Sequence, residues 1–312
     1  MKKKSIFAII LGGCICLGLI LTIIALALGV STFTVVSRDN KTEAEEPSVS
    51  HNIEAYTPKD FSKIENLEFD LSAGEIKIVQ GDDFSVSGAS LSKNECKNGT
   101  WYLTSRLLSK KRRIIRFFDL NIPVFSSRSQ SRNITVTLPK DIKLKHVNFS
   151  FSAVSTDISA LNCDDISLDL SAGGITFKEL TAKKAVLNAS AGSIALDRYN
   201  IEDSADIDCS TGEIRLGKSD FVSSNTINNA DISCALGSLK LYGKLTGEND
   251  LTCSLGDIEL FLPGSRTNYE FPSQQASLGS IDFHNDNTAV SSEVFGKINL
   301  DCSLGGIDVK FK

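Results

Sequence analysis

The segment Leu168-Asp169-Leu170-Ser171-Ala172-Gly173-Gly174-Ile175-Thr176-Phe177 decides how the rest of the chain is read. Leu168, Leu170 and Ala172 alternate with Asp169 and Ser171, the period of a strand with one buried face. After Gly173 the phase changes, and Ile175 and Phe177 become the apolar pair. An unbent strand cannot bury both sets, because a one-residue slip reverses its faces. The chain must therefore turn or bulge near Gly173. Glycine suits that place because it tolerates positive φ and has no Cβ to meet a neighbouring strand.

The same segment recurs at 69–78, 187–196, 207–216, 232–241, 251–260 and 300–309. A weaker copy runs over 274–283. A degenerate one covers 149–158, with Val154 where the glycine would be. From Gly173 the turn glycines Gly192, Gly212, Gly237, Gly256, Gly279 and Gly305 follow at intervals of 19, 20, 25, 19, 23 and 26 residues, and Gly74 heads the series. A fixed minimum with variable additions means a constant coil and loops of varying length. A propeller blade needs about 40 residues and four strands, so units of half that length read as coils of a β-helix. The expected fold is all-β: a single-stranded β-solenoid of about eight to nine coils.

Stacking predicts columns of like residues. Leu71, Phe151, Leu170, Ala189, Cys209, Cys234, Cys253, Ala276 and Cys302 share one inward position, and Ser72, Ser152, Ser171, Ser190, Ser210, Ser254, Ser277 and Ser303 share the next. The column cysteines read as small buried hydrophobes, a common fate of free thiols. Aromatic residues are only 7% of the chain, so the core is built from Ile, Leu, Val and Phe, which suits thin stacked strands.

Outside the repeat, Lys2, Lys3 and Lys4 precede an uncharged stretch from Ser5 to Ser37. That is longer than the roughly 20 apolar residues a membrane-spanning helix needs and longer than the apolar region of a cleaved signal peptide. Residues 1–37 are expected to be one transmembrane anchor with the lysines inside, which places the rest outside the cell membrane. Leu11-Gly12-Gly13-Cys14 resembles a lipobox, but the apolar run before it is short and continues far beyond it. Residues 38–60 are polar, with Pro47 and Pro58, and read as a tether. Residues 61–312 form the solenoid domain, of which 79–148 repeat poorly and read as its irregular start with an inserted hairpin or loop.

Candidate sites are few. A zinc site wants close pairs such as C-x-x-C, and the sequence has none. Cys96 and Cys163 lie outside the column and could pair. His51, His146 and His284 have no metal-ligand spacing. Glu75, Glu213 and Asp257 follow turn glycines but are not matched in the other copies, so they read as solvated turns. No catalytic residue, metal or cofactor is expected. The net charge of -5 speaks against nucleic acid. The strongest local charge is the run Lys110, Lys111, Arg112, Arg113 and Arg116, interleaved with Ile114, Ile115, Phe117 and Phe118. It is a candidate patch for anionic polymer or lipid headgroups, against a plain strand pair with a solvated face. Ile307, Val309 and Phe311 carry the inward pattern almost to the last residue. An uncovered solenoid end there would recruit another strand, so end-to-end self-association is expected, with Lys310 and Lys312 opposing it.

The coils Asp169-Leu170-Ser171-Ala172-Gly173-Gly174-Ile175 and Asn188-Ala189-Ser190-Ala191-Gly192-Ser193-Ile194 resemble those of the bacterial "putative adhesin" family of LiaG-like β-strand-repeat proteins. The strand endings Thr135-Val136-Thr137-Leu138-Pro139 and Glu259-Leu260-Phe261-Leu262-Pro263 are also similar. The resemblance covers about residues 61–312. It implies an extracytoplasmic β-helical protein with no defined catalytic residues, in some members linked with envelope stress. The expected function is a non-enzymatic, membrane-anchored envelope protein that displays a solenoid to a polymer or protein partner, as an adhesin or a stress-sensing accessory. The alternatives are a carbohydrate-active enzyme on the same scaffold and a passive spacer.

Overall fold

A computed structural model describes residues 35–36, 64–88, 91–105, 112–117, 120–125, 133–284 and 293–312. They fall into two units. The smaller contains an antiparallel hairpin, Arg112–Phe117 with Leu120–Phe125, and the short strand Val35–Val36 set against Ile114 and Ile115. The larger unit contains the other described residues and is the repeat domain.

In that domain the repeat copies lie one above another as in-register parallel strands, spaced as in any sheet by about 4.8 Å. Gly74 pairs with Val154, Val154 with Gly173 and Gly173 with Gly192. Gly212 sits on Gly192, Gly237 on Gly212 and Gly256 on Gly237. The solenoid is therefore present. Each full coil has three strand runs. In one of them 173–177, 179–182 and 184–189 pair with 192–196, 198–201 and 204–209 of the next coil, and a bulge follows Ala182. The inward columns form one continuous core. Leu168, Leu187, Ile207, Ile232 and Leu251 fill one column, and Ile175, Ile194, Ile214, Leu239 and Ile258 another; all are fully buried. Each coil buries little by itself, and stacking completes its interior.

The degenerate copy solves the turn differently. There Ala153 takes the left-handed conformation (φ +57°), Val154 is buried, and Thr156 stands in a column between Ile76 and Ile175.

Both ends of the stack depart from sequence order. At one end, Asn66–Gly81 is covered on its outer side by Thr100–Thr104 and Asn133–Pro139, which come later in the chain. These are closed in turn by the antiparallel strands Lys93–Lys97 and Ser85–Gly88. At the other end, the last copy is not the last coil. Leu300, Cys302 and Leu304 pair with Leu251, Cys253 and Leu255 on one side, and with Gln274, Ala276 and Leu278 on the other. Ile307 and Val309 likewise lie between Ile258 and Leu260 below and Ile281 and Phe283 above. Ile307, Val309 and Phe311 are thus buried, which corrects the expectation that they form the uncovered end.

The composition of the two copies gives the reason. The 300–309 copy has Leu300, Cys302, Ile307 and Val309 at its inward positions, whereas 274–283 has Gln274 and Ala276 where the other has Leu and Cys. The more apolar copy takes the place with neighbours on both sides. The copy with glutamine takes the place where one side meets water.

The expected anchor, residues 1–37, lies outside the described residues except for Val35 and Val36, which are extended. Among the described residues no helix is long and apolar enough to cross a membrane.

Candidate functional site: an apolar ridge at the coil corner

The corner begins with its glycine. Gly192, Gly212, Gly237, Gly256 and Gly305 have φ between +139° and +146°, a region closed to side chains with a Cβ. The carbonyl of each lower glycine points up the stack at the glycine above it. A Cβ placed on Gly212 or Gly237 would lie 1.6 Å from that oxygen. The cysteine column sits just inside. The Sγ atoms of Cys209, Cys234 and Cys253 donate to the carbonyl oxygens of Gly192, Gly212 and Gly237 at 3.7 Å, and Cys302 to Gly256 at 3.2 Å. Because the last copy is intercalated, these four cysteines are consecutive in space. They are buried hydrophobes that also satisfy a turn carbonyl.

In four copies the residue before the turn glycine is an exposed leucine, and among the described residues these four form a row. By period two, Leu236 should point inward like Cys234, but the corner carries it outward. Leu236, Leu255, Leu304 and Leu278 are in register with one another and are 46%, 47%, 45% and 70% exposed. Thr211 continues the row below Leu236. Ala172 and Ala191 hold the same turn position further down. The ridge is flanked by Ser254, Ser303 and Ser277 on one side and by Ser238, Asp257 and Ser280 on the other, and Asp257 accepts a hydrogen bond from the Gly306 amide at 2.8 Å. Soluble proteins scatter single apolar residues over their surfaces, whereas a contiguous row marks an interaction site.

The outer face of the strands after the corner has a different character. Tyr242 and Phe261 stack in parallel, with ring centroids 4.3 Å apart, and Lys310 continues the row on Phe261. Lys240 and Lys312 also lie over these rings. The two rings face one another along the stack. Lys240 is paired with Glu259 at 2.7 Å, and Asp308 holds Lys310 and His284. This is a ladder of ring contacts and ion pairs that ties coils together. Asp197 does the same lower on that face. Burial works against its ionisation, but hydrogen bonds from Lys218 and Arg215 outweigh it and hold the carboxyl below the usual range.

The residues singled out from sequence fare unevenly. All eight turn glycines occupy the corner column, Gly279 at its end. Lys110 and Lys111 lie outside the described residues, and Arg112, Arg113 and Arg116 fall on the first hairpin strand of the small unit. Glu75 pairs with Lys77 at 2.9 Å, and His146 with Asp165 at 3.0 Å. Among the described residues no group of three His, Cys, Asp or Glu side chains is placed to hold a metal. Cys96 and Cys163 are not joined by a disulfide. The leucine row escaped the sequence reading, although Leu before glycine in four copies was its visible signal.

Burial pushes the thiols of Cys163 and Cys234 up to about 12 and that of Cys253 up to about 11. Among the described cysteines, native protein is therefore expected to expose only Cys96 to a thiol reagent, with the others reacting after denaturation. Raised thiol values also fix a sign. In the unfolded chain these groups ionise near 9.0, in the folded chain only near 11 to 12. Their contribution to stability is complete below pH 9 and is lost as pH rises toward the folded values. Denaturant titration at rising pH checks this, and a midpoint constant up to pH 11 would contradict it.

The profile of the Toastrack DUF4097 family matches residues 64–299. The chain belongs to that family. Among solved structures, this Toastrack protein is similar to a "putative adhesin" from Bacteroides fragilis at 17% identity, over 82% of this chain and 95% of that one, with a TM-score of 0.50. It is also similar to a "putative lipid binding protein" from Parabacteroides distasonis at 16% identity, over 84% and 98% of the two chains, with a TM-score of 0.43. For a "putative cell adhesion protein" from Clostridium sporogenes the values are 12%, 83%, 97% and 0.24. At such identity the first likeness speaks for a shared fold alone. Comparison with curated proteins gave no match.

Proposed function

We propose that this Toastrack protein is a non-enzymatic, adhesin-like module of the cell envelope, held at the membrane by residues 1–37, and that the leucine ridge is its contact surface. The single observation that carries this reading is the in-register row of Leu236, Leu255, Leu304 and Leu278, exposed by 45–70% on a rigid edge. A rigid row loses little conformational freedom on binding, which favours affinity. Its flanks are serines and one carboxylate, Asp257, so the ridge suits an envelope protein with an apolar groove better than a charged polymer. The test is retention of purified envelope fragments by cells that display the full chain. Replacing Leu236, Leu255 and Leu304 together by Ser is expected to cut retention roughly tenfold or more, the loss of one buried anchor being worth at least ~1–2 kcal/mol. Equal retention by the triple variant at equal display would overturn the proposal.

A further inference from the structure

The coil built from 269–284 stands at one end of the stack and, among the described residues, has one neighbour. Among the described residues, Gln274–Leu278 and Ile281–His284 pair on their inner side alone, with Leu300–Leu304 and Ile307–Lys310. No described strand pairs with their other backbone edge, and no described residue seals the core there. Cys302 and Ile307, one coil in, are sealed, whereas Ala276, Ile281, Phe271 and Phe283 are only partly buried. Leu278 is 70% exposed against 45% for Leu304 directly beneath it, and the excess marks the missing neighbour.

The charges on this coil do not guard the edge evenly. Asp282 is engaged by Ser280 and His284 by Asp308, both within the coil or toward the one below. Arg266 lies over the Phe283 ring at 4.2 Å, which leaves Ala276, Ile281 and the Leu278 corner as the open part. The opposite end of the stack is treated differently. There the antiparallel strand Lys93–Lys97 brings Lys93, Glu95 and Lys97 to the edge, a charged border that discourages pairing.

We infer that the open coil is an interface with a second copy of this chain, paired end to end about a two-fold axis through the Leu278–Gly279 corner. The occupant follows from the shape of the edge. It consists of two strands that leave one corner in different directions, and a single added strand can satisfy only one of them. A two-fold axis at the corner sets Gln274–Leu278 of one copy antiparallel to Ile281–His284 of the other, and the reverse. Both strand edges are then paired, and Ala276 lies against Ile281 so that the two cores join. Such an isologous contact closes on itself and gives a dimer, not a fibre.

The experiment is sedimentation velocity on the full chain in a non-ionic detergent, with circular dichroism to confirm folding. The wild-type protein is expected to dimerise at micromolar concentration. Leu278→Glu puts two carboxylates beside the axis at an exposed position the fold tolerates, and is expected to weaken association tenfold or more, the effect of about 1.4 kcal/mol. Leu236→Glu, on the same ridge but three coils from the axis, is expected to leave the dimer intact. A wild-type protein that stays monomeric through the micromolar range overturns the inference, as does a Leu278→Glu variant that dimerises like wild type. Loss of the dimer in Leu236→Glu would equally overturn it, since association would then run through the ridge. The dimer is read by sedimentation of the Leu278→Glu variant and the envelope contact by retention in the Leu236, Leu255 and Leu304 variant, so the two proposals fail separately.

Discussion

Gly237→Ala is expected to destabilise the full chain by about 3–5 kcal/mol, two penalties acting together. The first is conformational: at φ +146° an alanine sits in a region open only to glycine. The second is steric: its Cβ would fall 1.6 Å from the Gly212 carbonyl oxygen, and backbone in the middle of a stack cannot move aside alone. Separating the two coils would also break the Cys234 thiol contact with that carbonyl. The control is Gly279→Ala, whose Cβ would lie 1.8 Å from the Gly305 carbonyl oxygen but on the coil with one neighbour. Stability in a stacked array is close to a sum over neighbouring interfaces, so the end coil can lift at the expense of one interface only, and a loss of about 1–2 kcal/mol is expected. Urea unfolding of both variants, followed by circular dichroism, checks the order. Equal midpoints for Gly237→Ala and wild type would mean that the glycine column does not set the spacing of the coils.

That column is also the part of the fold the sequence states most openly. The change of phase across Gly173 demands a corner, and repetition at near-constant intervals demands that the corners stack. The inward columns follow from period two. What the sequence does not state is which copy stands at the end. The intervals before Gly279 and Gly305, 23 and 26 residues, both allow a detour. The choice is made by the contest between Gln274 with Ala276 and Leu300 with Cys302 for the two-sided position, which becomes visible only once the coils are in register. The same limit hid the ridge. Read with strict alternation, Leu236, Leu255, Leu278 and Leu304 belong to the core, and only the outward swing of the corner exposes them. The thiol column was legible as buried positions. Its hydrogen bonds to the glycine carbonyls depend on corner geometry that periodicity does not encode. The basic run from Lys110 to Arg116 stood out as charge but belongs to the smaller unit, apart from the repeat that organises the rest.

Trp101→Ala is expected to cost about 3–5 kcal/mol, the range for truncating a large buried aromatic side chain. Trp101 is fully buried and lies on the strand Thr100–Thr104 that covers the first repeat copy. It meets Phe69 edge to face at 5.6 Å and Phe84 at 5.9 Å, and its indole N–H donates to Asn94 Oδ1 at 2.9 Å. Phe69 in turn stacks on Phe149 at 5.3 Å, so the tryptophan joins the irregular outer strands to the regular column. Removing it leaves a cavity where the stack is closed, and the strands Thr100–Thr104 and Lys93–Lys97 lose their anchor. Trp101 is the one tryptophan of the chain, so fluorescence reports this end alone. Wild-type emission is expected to be blue-shifted and to stay so until the whole domain unfolds. Phe69→Ala keeps the reporter and opens one side of its pocket, and is expected to move the emission to the red before circular dichroism changes. A red-shifted native spectrum, or a Trp101→Ala variant as stable as wild type, would show that this end is held by its backbone pairing and not by the aromatic cluster.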